Sequence, residues 1–377
     1  MLLVTFHGGS DSDASSGTAT TDHSHSKPVN NIYGYSTKDG TLETKAALTG
    51  MPGHVQLDEL RAMAIYKGNL YVVNGSKSKS YVFVFQGPLK KGPEFDYLDT
   101  VIGPGQSIMH PFAIAFDPSA ANCHVSDQDS NVVAQVNLTF HKHGAVTGAL
   151  ATGSQSGFLN GKYSADAFLD GTFVASQNGN LVGVARVAPD VPAANGGLNV
   201  TGTGKTGQPL APANSVRDVA IANGILFVCD EVDKQINMYN LTDGTFLGAS
   251  PSSGSGSLNG SSPTHLAINN GGLWVSADEN LYWSALPASA TGATLLFKTV
   301  TIEVPKKNKI GGISFDTSSN VYVVFQDGTG GTGKGSIGKF TVTAGTPPSL
   351  SDPSTFATMK DDTPEFCLWV SDSNWPT

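Results

Sequence analysis

The chain has 377 residues, of which 39% are hydrophobic and only 14% charged, against roughly 25% charged in an average soluble domain. A formal net charge of −9 excludes a broad polyanion-binding face, so no nucleic-acid partner is expected. No apolar run reaches the roughly 18 residues that a membrane helix requires, so no membrane partner is expected either.

Gly 44 and Pro 20, with no helical repeat of apolar positions, argue for strands joined by turns. In chain order, "LLVTF", "NNIYGYST" and "TLETKAAL" read as three strands, interrupted by a Ser/Thr-rich excursion from Gly8 to Asn30 that contains "DHSHS" and reads as a loop. Next comes "LRAMAIYKGNLYVVNGSKSKSYVFVFQG" from Leu60, a succession of strand-sized pieces. The same grammar returns in "HPFAIAFDPSAANCHVSDQDSNVVAQVNL" from His110 and, in degenerate form, in "SADAFLDGTFVASQNGNLVGVARV" from Ser164. "VRDVAIANGILFVCDEVDKQINMYNLTDGTFLG" from Val216 is the clearest copy; others start at Thr264 and Gly311, and "PEFCLWVSD" closes the series as one more first strand.

Units spaced by roughly 45 to 55 residues have the period of propeller blades. A four-stranded meander cannot bury both of its faces alone, and stacking around an axis supplies the missing core. The expected fold is therefore all-β, a single seven-bladed β-propeller of four-stranded antiparallel blades. Its first blade combines 1–50 with 363–372, the C-terminal strand pairing with the N-terminal one. The other blades are placed at about 58–103, 109–153, 159–202, 215–251, 262–304 and 309–359.

The motif G-x-L-Y/F-V-x-(N/D), followed by a polar turn and V-x-V/M-x-x-L, resembles the repeat of NHL and YVTN-type β-propellers, close in style to gluconolactonase-like and strictosidine-synthase-like propellers. The resemblance covers nearly the whole chain. It implies that the first strand of each blade lines a central channel, with its first residues at the mouth. Members of the group range from hydrolases and lyases to interaction scaffolds, so the fold alone does not choose among them.

Aligning the units puts Arg61–Ala62, His110–Pro111, Ser164–Ala165, Arg217–Asp218, Thr264–His265, Gly311–Gly312 and Pro364–Glu365 at that level. Convergent polar groups from separate blades are what a small-ligand pocket requires. The partner expected is a small polar or anionic molecule, with Arg61 and Arg217 as cationic donors and His110 or His265 as general base. Asp218, Glu365, Glu59 and Ser164 complete the substrate-binding set, and the chemistry expected is that of a hydrolase or lyase. A metal-assisted variant would use His110, His265 and Glu365 to hold zinc or calcium. The competing class is a non-catalytic scaffold with a protein partner, or a carbohydrate-binding propeller using Tyr33, Trp283 and Trp375 as exposed aromatics.

Other motifs carry less. "DQDSN" at 127–131 imitates a calcium loop but lacks its downstream glycine and glutamate, and reads as a turn. "HKH" at 141–143 reads as a solvated loop, and "GTGKTGQ" at 202–208 lacks the spacing and context of a phosphate loop. Cys123, Cys229 and Cys367 fall in strands of different blades, so three buried thiols and no disulfide are expected. The N-terminus has no signal-peptide pattern, which leaves a soluble protein, cytoplasmic or secreted, as the expectation.

Overall fold

The computed structural model describes the chain except residues 7–30, 53–54, 56, 58, 77–78, 88–93, 104–109, 129–131, 142–145, 151–156, 160–215, 243–245, 306–307, 328–334, 360–362 and 372–377. The described residues form strands and turns without a helix, folded into six sheets, antiparallel but for one edge pair, in a β-propeller arrangement. Most strands neighbour the next strand of the chain, as in a meander, and the tight links are hairpins. Two of the tightest are Asn223–Gly224 and Asn270–Gly271, where both residues of each pair take positive φ, the geometry of a type I′ turn.

Sheet 1 has the order Pro364–Trp369, Leu2–Phe6, Tyr33–Tyr35, Leu42–Thr44. Leu3 faces Leu368 across an antiparallel pair, and the Val370 amide donates to the Met1 carbonyl at 2.9 Å. Sheet 2 runs from Leu60–Tyr66 through Asn69–Ser76 and Lys79–Gln86 to Phe95–Ile102. Leu48–Thr49, expected in the first blade, instead lies parallel to Phe95–Asp96 on the outer edge of sheet 2. In sheet 3 the inner strand is Pro111–Phe116, and Gly157–Leu159 pairs with Val132–Ala134. The inner strands of sheets 4, 5 and 6 are Val216–Ala222, Pro263–Asn269 and Asn308–Phe315.

Seven blades were expected and six sheets are found among the described residues. Apart from Leu159, the blade placed at 159–202 lies outside those residues, and with it Ser164. The six inner strands contact one another in succession, from sheet 1 round to sheet 6 and back to sheet 1. Pro111–Phe116 and Val216–Ala222 are in direct contact.

The cores lie between facing sheets and are built from the second and third strands, whose side chains are buried on both faces: Leu70–Val73, Ile225–Cys229 and Val321–Phe325 are examples. Such continuous apolar runs are what a sheet sandwiched between two neighbours needs. All three cysteines are free and buried. Burial raises each thiol pKa above its ordinary value. Among the described residues no helix is long and apolar enough to cross a membrane.

Candidate functional site

Each inner strand carries one residue more than its partner near its start. The register jumps between Leu60 and Met63, Pro111 and Ala113, Val216 and Val219, Pro263 and His265, Ile310 and Ile313, and Pro364 and Cys367. A β-bulge of this kind re-aims the side chains beside it. The bulged stretches hold Arg61–Ala62, Phe112, Arg217–Asp218, Thr264, Gly311–Gly312 and Glu365–Phe366. Relative to the sequence alignment, sheet 1 is slipped by one residue and sheet 3 by two: the bulges fall on Glu365–Phe366 and on Phe112, not on Pro364–Glu365 and His110–Pro111.

The repeated bulge brings residues from several sheets together around the axis. Arg61 donates to Glu365 at 2.5 Å and pairs with Glu59 at 3.2 Å, and the second oxygen of Glu59 lies 3.3 Å from His110 Nε2. The Glu365–Arg61–Glu59–His110 chain thus joins sheets 1, 2 and 3. Arg217 is held separately: Nε and Nη2 meet Glu231 at 2.8 and 2.7 Å, and Nη1 donates to Gln128 at 2.6 Å. Both guanidinium groups lie over Phe112, at 5.5 Å for Arg61 and 5.0 Å for Arg217.

Beneath them the axis is filled by aromatic rings. Phe366 contacts Phe112 at 5.2 Å and His265 at 4.4 Å between centroids. His265 is 2% exposed, and burial pulls its pKa down to about 3, with Glu365 opposing and Arg217 and Arg61 reinforcing the fall. It is therefore uncharged near neutral pH and buried, where the sequence expectation placed it at the channel mouth. Asp218 is likewise buried; burial pushes its carboxyl up to about 7 despite bonds from the Val219 and Leu266 amides. The Leu266 bond crosses from sheet 5 to sheet 4, which makes Asp218 a link between sheets.

The residues of the expected metal triad have other neighbours. Glu365 is engaged by Arg61, His110 faces Glu59, and His265 packs on Phe366. No group of three His, Cys, Asp or Glu side chains is placed to hold a metal among the described residues. Tyr33 and Trp283, expected as exposed aromatics, are 3% and 8% exposed, being taken into the cores between sheets; Trp375 lies outside the described residues. Asp127 of the calcium-like stretch is buried and accepts the His110 amide, while residues 129–131 lie outside. His141 is exposed; "DHSHS", "GTGKTGQ" and the rest of "HKH" lie outside the described residues.

Sequence reasoning missed Phe112, Gln128, Glu231 and Phe366. Gln128 and Glu231 each follow the aspartate that ends a second strand, Asp127 and Asp230. That shared position, opposite the start of the inner strand, is the signal that could have found them.

Solved structures of similar shape include lactonase-named proteins, and the likeness in fold accompanies the β-propeller arrangement of the six sheets. The periplasmic gluconolactonase of Pseudomonas aeruginosa is similar over 98% of both chains, with a TM-score of 0.55 and 13% identity. A candidate 6-phosphogluconolactonase from Bacteroides fragilis is similar over 98% of this chain and 97% of its own, at TM-score 0.52 and 14% identity. A protein from Lactobacillus plantarum gives 0.51 and 14% over 94% and 82%. No protein-family model and no curated protein sequence matches the chain. At these identities the likeness concerns the fold.

Proposed function

We propose that the bulged rim is the binding site for a small polar molecule and that the protein is a hydrolase of the lactonase-like propeller type, acting without a metal held by His110, His265 and Glu365. The observation that carries this reading is the division of the cluster into buried and accessible parts. Arg61 and Glu365 side chains are 3% and 6% exposed, whereas Glu59 and Glu231 are 27% and Arg217 is 19% exposed. The buried pair positions; the accessible groups meet the ligand. A closed ring of six blades, clasped where Leu2–Phe6 pairs with Pro364–Trp369, belongs to the same reading, and the contacts between successive inner strands support it.

For hydrolysis of a cyclic ester, Glu59 takes a proton from the attacking water and shares it with His110, 3.3 Å away. The water oxygen bonds to the carbonyl carbon, and Arg217 faces the charge that develops on the carbonyl oxygen. The ring oxygen then leaves with the proton returned to it. Assaying lactone opening by proton release tests this: Glu59→Gln and His110→Ala should each lower kcat by about 10²-fold. Full activity in both variants would remove the chemistry from this rim.

A further inference from the structure

We infer that the ligand of this site is an uncharged polyhydroxylated molecule, not a phosphorylated or carboxylated one; this rests on the reading of the rim as a ligand site. The sequence pointed to two arginines waiting for an anion. In the structure both are already paired with carboxylates. Arg61 is clamped by Glu365 and Glu59, and all three nitrogens of Arg217 are engaged, two by Glu231 and one by Gln128. Lys309, at the start of the sheet 6 inner strand, is bound to Asp278 at 3.0 Å.

The two guanidinium groups are thus outnumbered by three carboxylates, Glu59, Glu231 and Glu365. A phosphate entering here would have to displace a carboxylate from an arginine or sit beside Glu59 and Glu231, where like charges repel. A hydroxyl has no such conflict. It donates and accepts at once, so it can bridge an arginine and the carboxylate beside it without breaking their pair. Adjacent donors and acceptors suit vicinal hydroxyls. An organic cation would gain from the excess of carboxylates, but each accessible carboxylate already has a cationic or imidazole partner.

The test is isothermal titration with D-glucose and D-glucono-1,5-lactone, each against its 6-phosphate, with glucosamine as the cationic probe. The Arg217 Nε–H resonance reports whether a probe reaches the rim. The neutral probes should shift that resonance and bind at least 10-fold more tightly than the phosphates. Glu231→Gln, which leaves Arg217 with Gln128 alone, should narrow that gap at least fivefold, and Glu59→Gln gives a second reading if the first variant folds poorly. Tighter binding of the phosphates, or of glucosamine, would overturn the inference while leaving the rim as a ligand site. If no probe moves the Arg217 signal, the inference and the site reading fall together.

Discussion

The ring of Phe112 lies against Arg61 on one side of the cluster and Arg217 on the other, so one apolar side chain sets the spacing of both cations. Each such contact adds on the order of 1 kcal/mol, but its larger effect is positional. Phe112→Leu should reduce ligand affinity while leaving the fold intact, which a thermal melt beside a binding titration checks. The buried Arg61–Glu365 pair behaves differently. Removing one partner strands the other, so Glu365→Ala should destabilise by about 3 kcal/mol in urea unfolding, whereas replacing both by leucine should cost less than the single change.

Asp218 and His265 make an opposing pair in pH dependence. From pH 6.5 downward the unfolded chain protonates His265 while the folded chain, with its pKa near 3, does not, so stability falls. Between about 7 and 3.8 the folded chain protonates Asp218 while the unfolded chain does not, so stability rises as pH drops. The two slopes offset each other between pH 6.5 and 3.8. Asp218→Asn removes the rising one, and denaturant melts should then show stability declining from pH 6.5 toward 4 by up to about 1.4 kcal/mol per unit. A flat profile in that variant would show that His265 titrates normally. The sequence alignment put these residues at one level of the fold; it could not show that Phe112 and Phe366 keep His265 dry, since that depends on a slip of one residue in sheet 1 and two in sheet 3.

At the scale of elements, the strands were legible because each has its own turn chemistry and alternation, and the four pieces of the Val216 unit correspond to four strands. The bulges were not, because an extra residue changes no composition and announces itself only in the partner's register. Gly311–Gly312 is the trace it leaves. A Cβ on Gly312 would stand 2.8 Å from the Phe366 Cα, and one on Gly311 2.8 Å from the Glu365 carbonyl oxygen, so the sheet 6 inner strand can lie against sheet 1 only without side chains there. Gly312→Val should destabilise by about 1–3 kcal/mol and, by displacing Glu365, weaken ligand binding as well. Gly224→Ala, in a hairpin turn with open space around it, should affect stability without affecting binding.

For the whole molecule, the repeat period identified a propeller, but counting copies overstated the sheets found among the described residues. A degenerate copy such as that from Ser164 satisfies a strand pattern without fixing whether its first strand reaches the axis. The pairing of Leu2–Phe6 with Pro364–Trp369 ties the polar cluster to the integrity of the ring, because Glu365 and Phe366 come from the last strand. Hydrogen exchange should therefore give Leu3 and Leu368 equal, high protection, lost together in global opening. Early exchange at Leu368 alone would detach sheet 1 from the cluster. The most direct measurement is a crystal structure of the protein soaked with a neutral sugar lactone. Density within hydrogen-bond distance of Glu59, His110 and Arg217 is the expected result. A ligand lodged instead in the groove lined by Lys38, Asp39, Lys339 and Phe356, with the rim unchanged, would contradict the account.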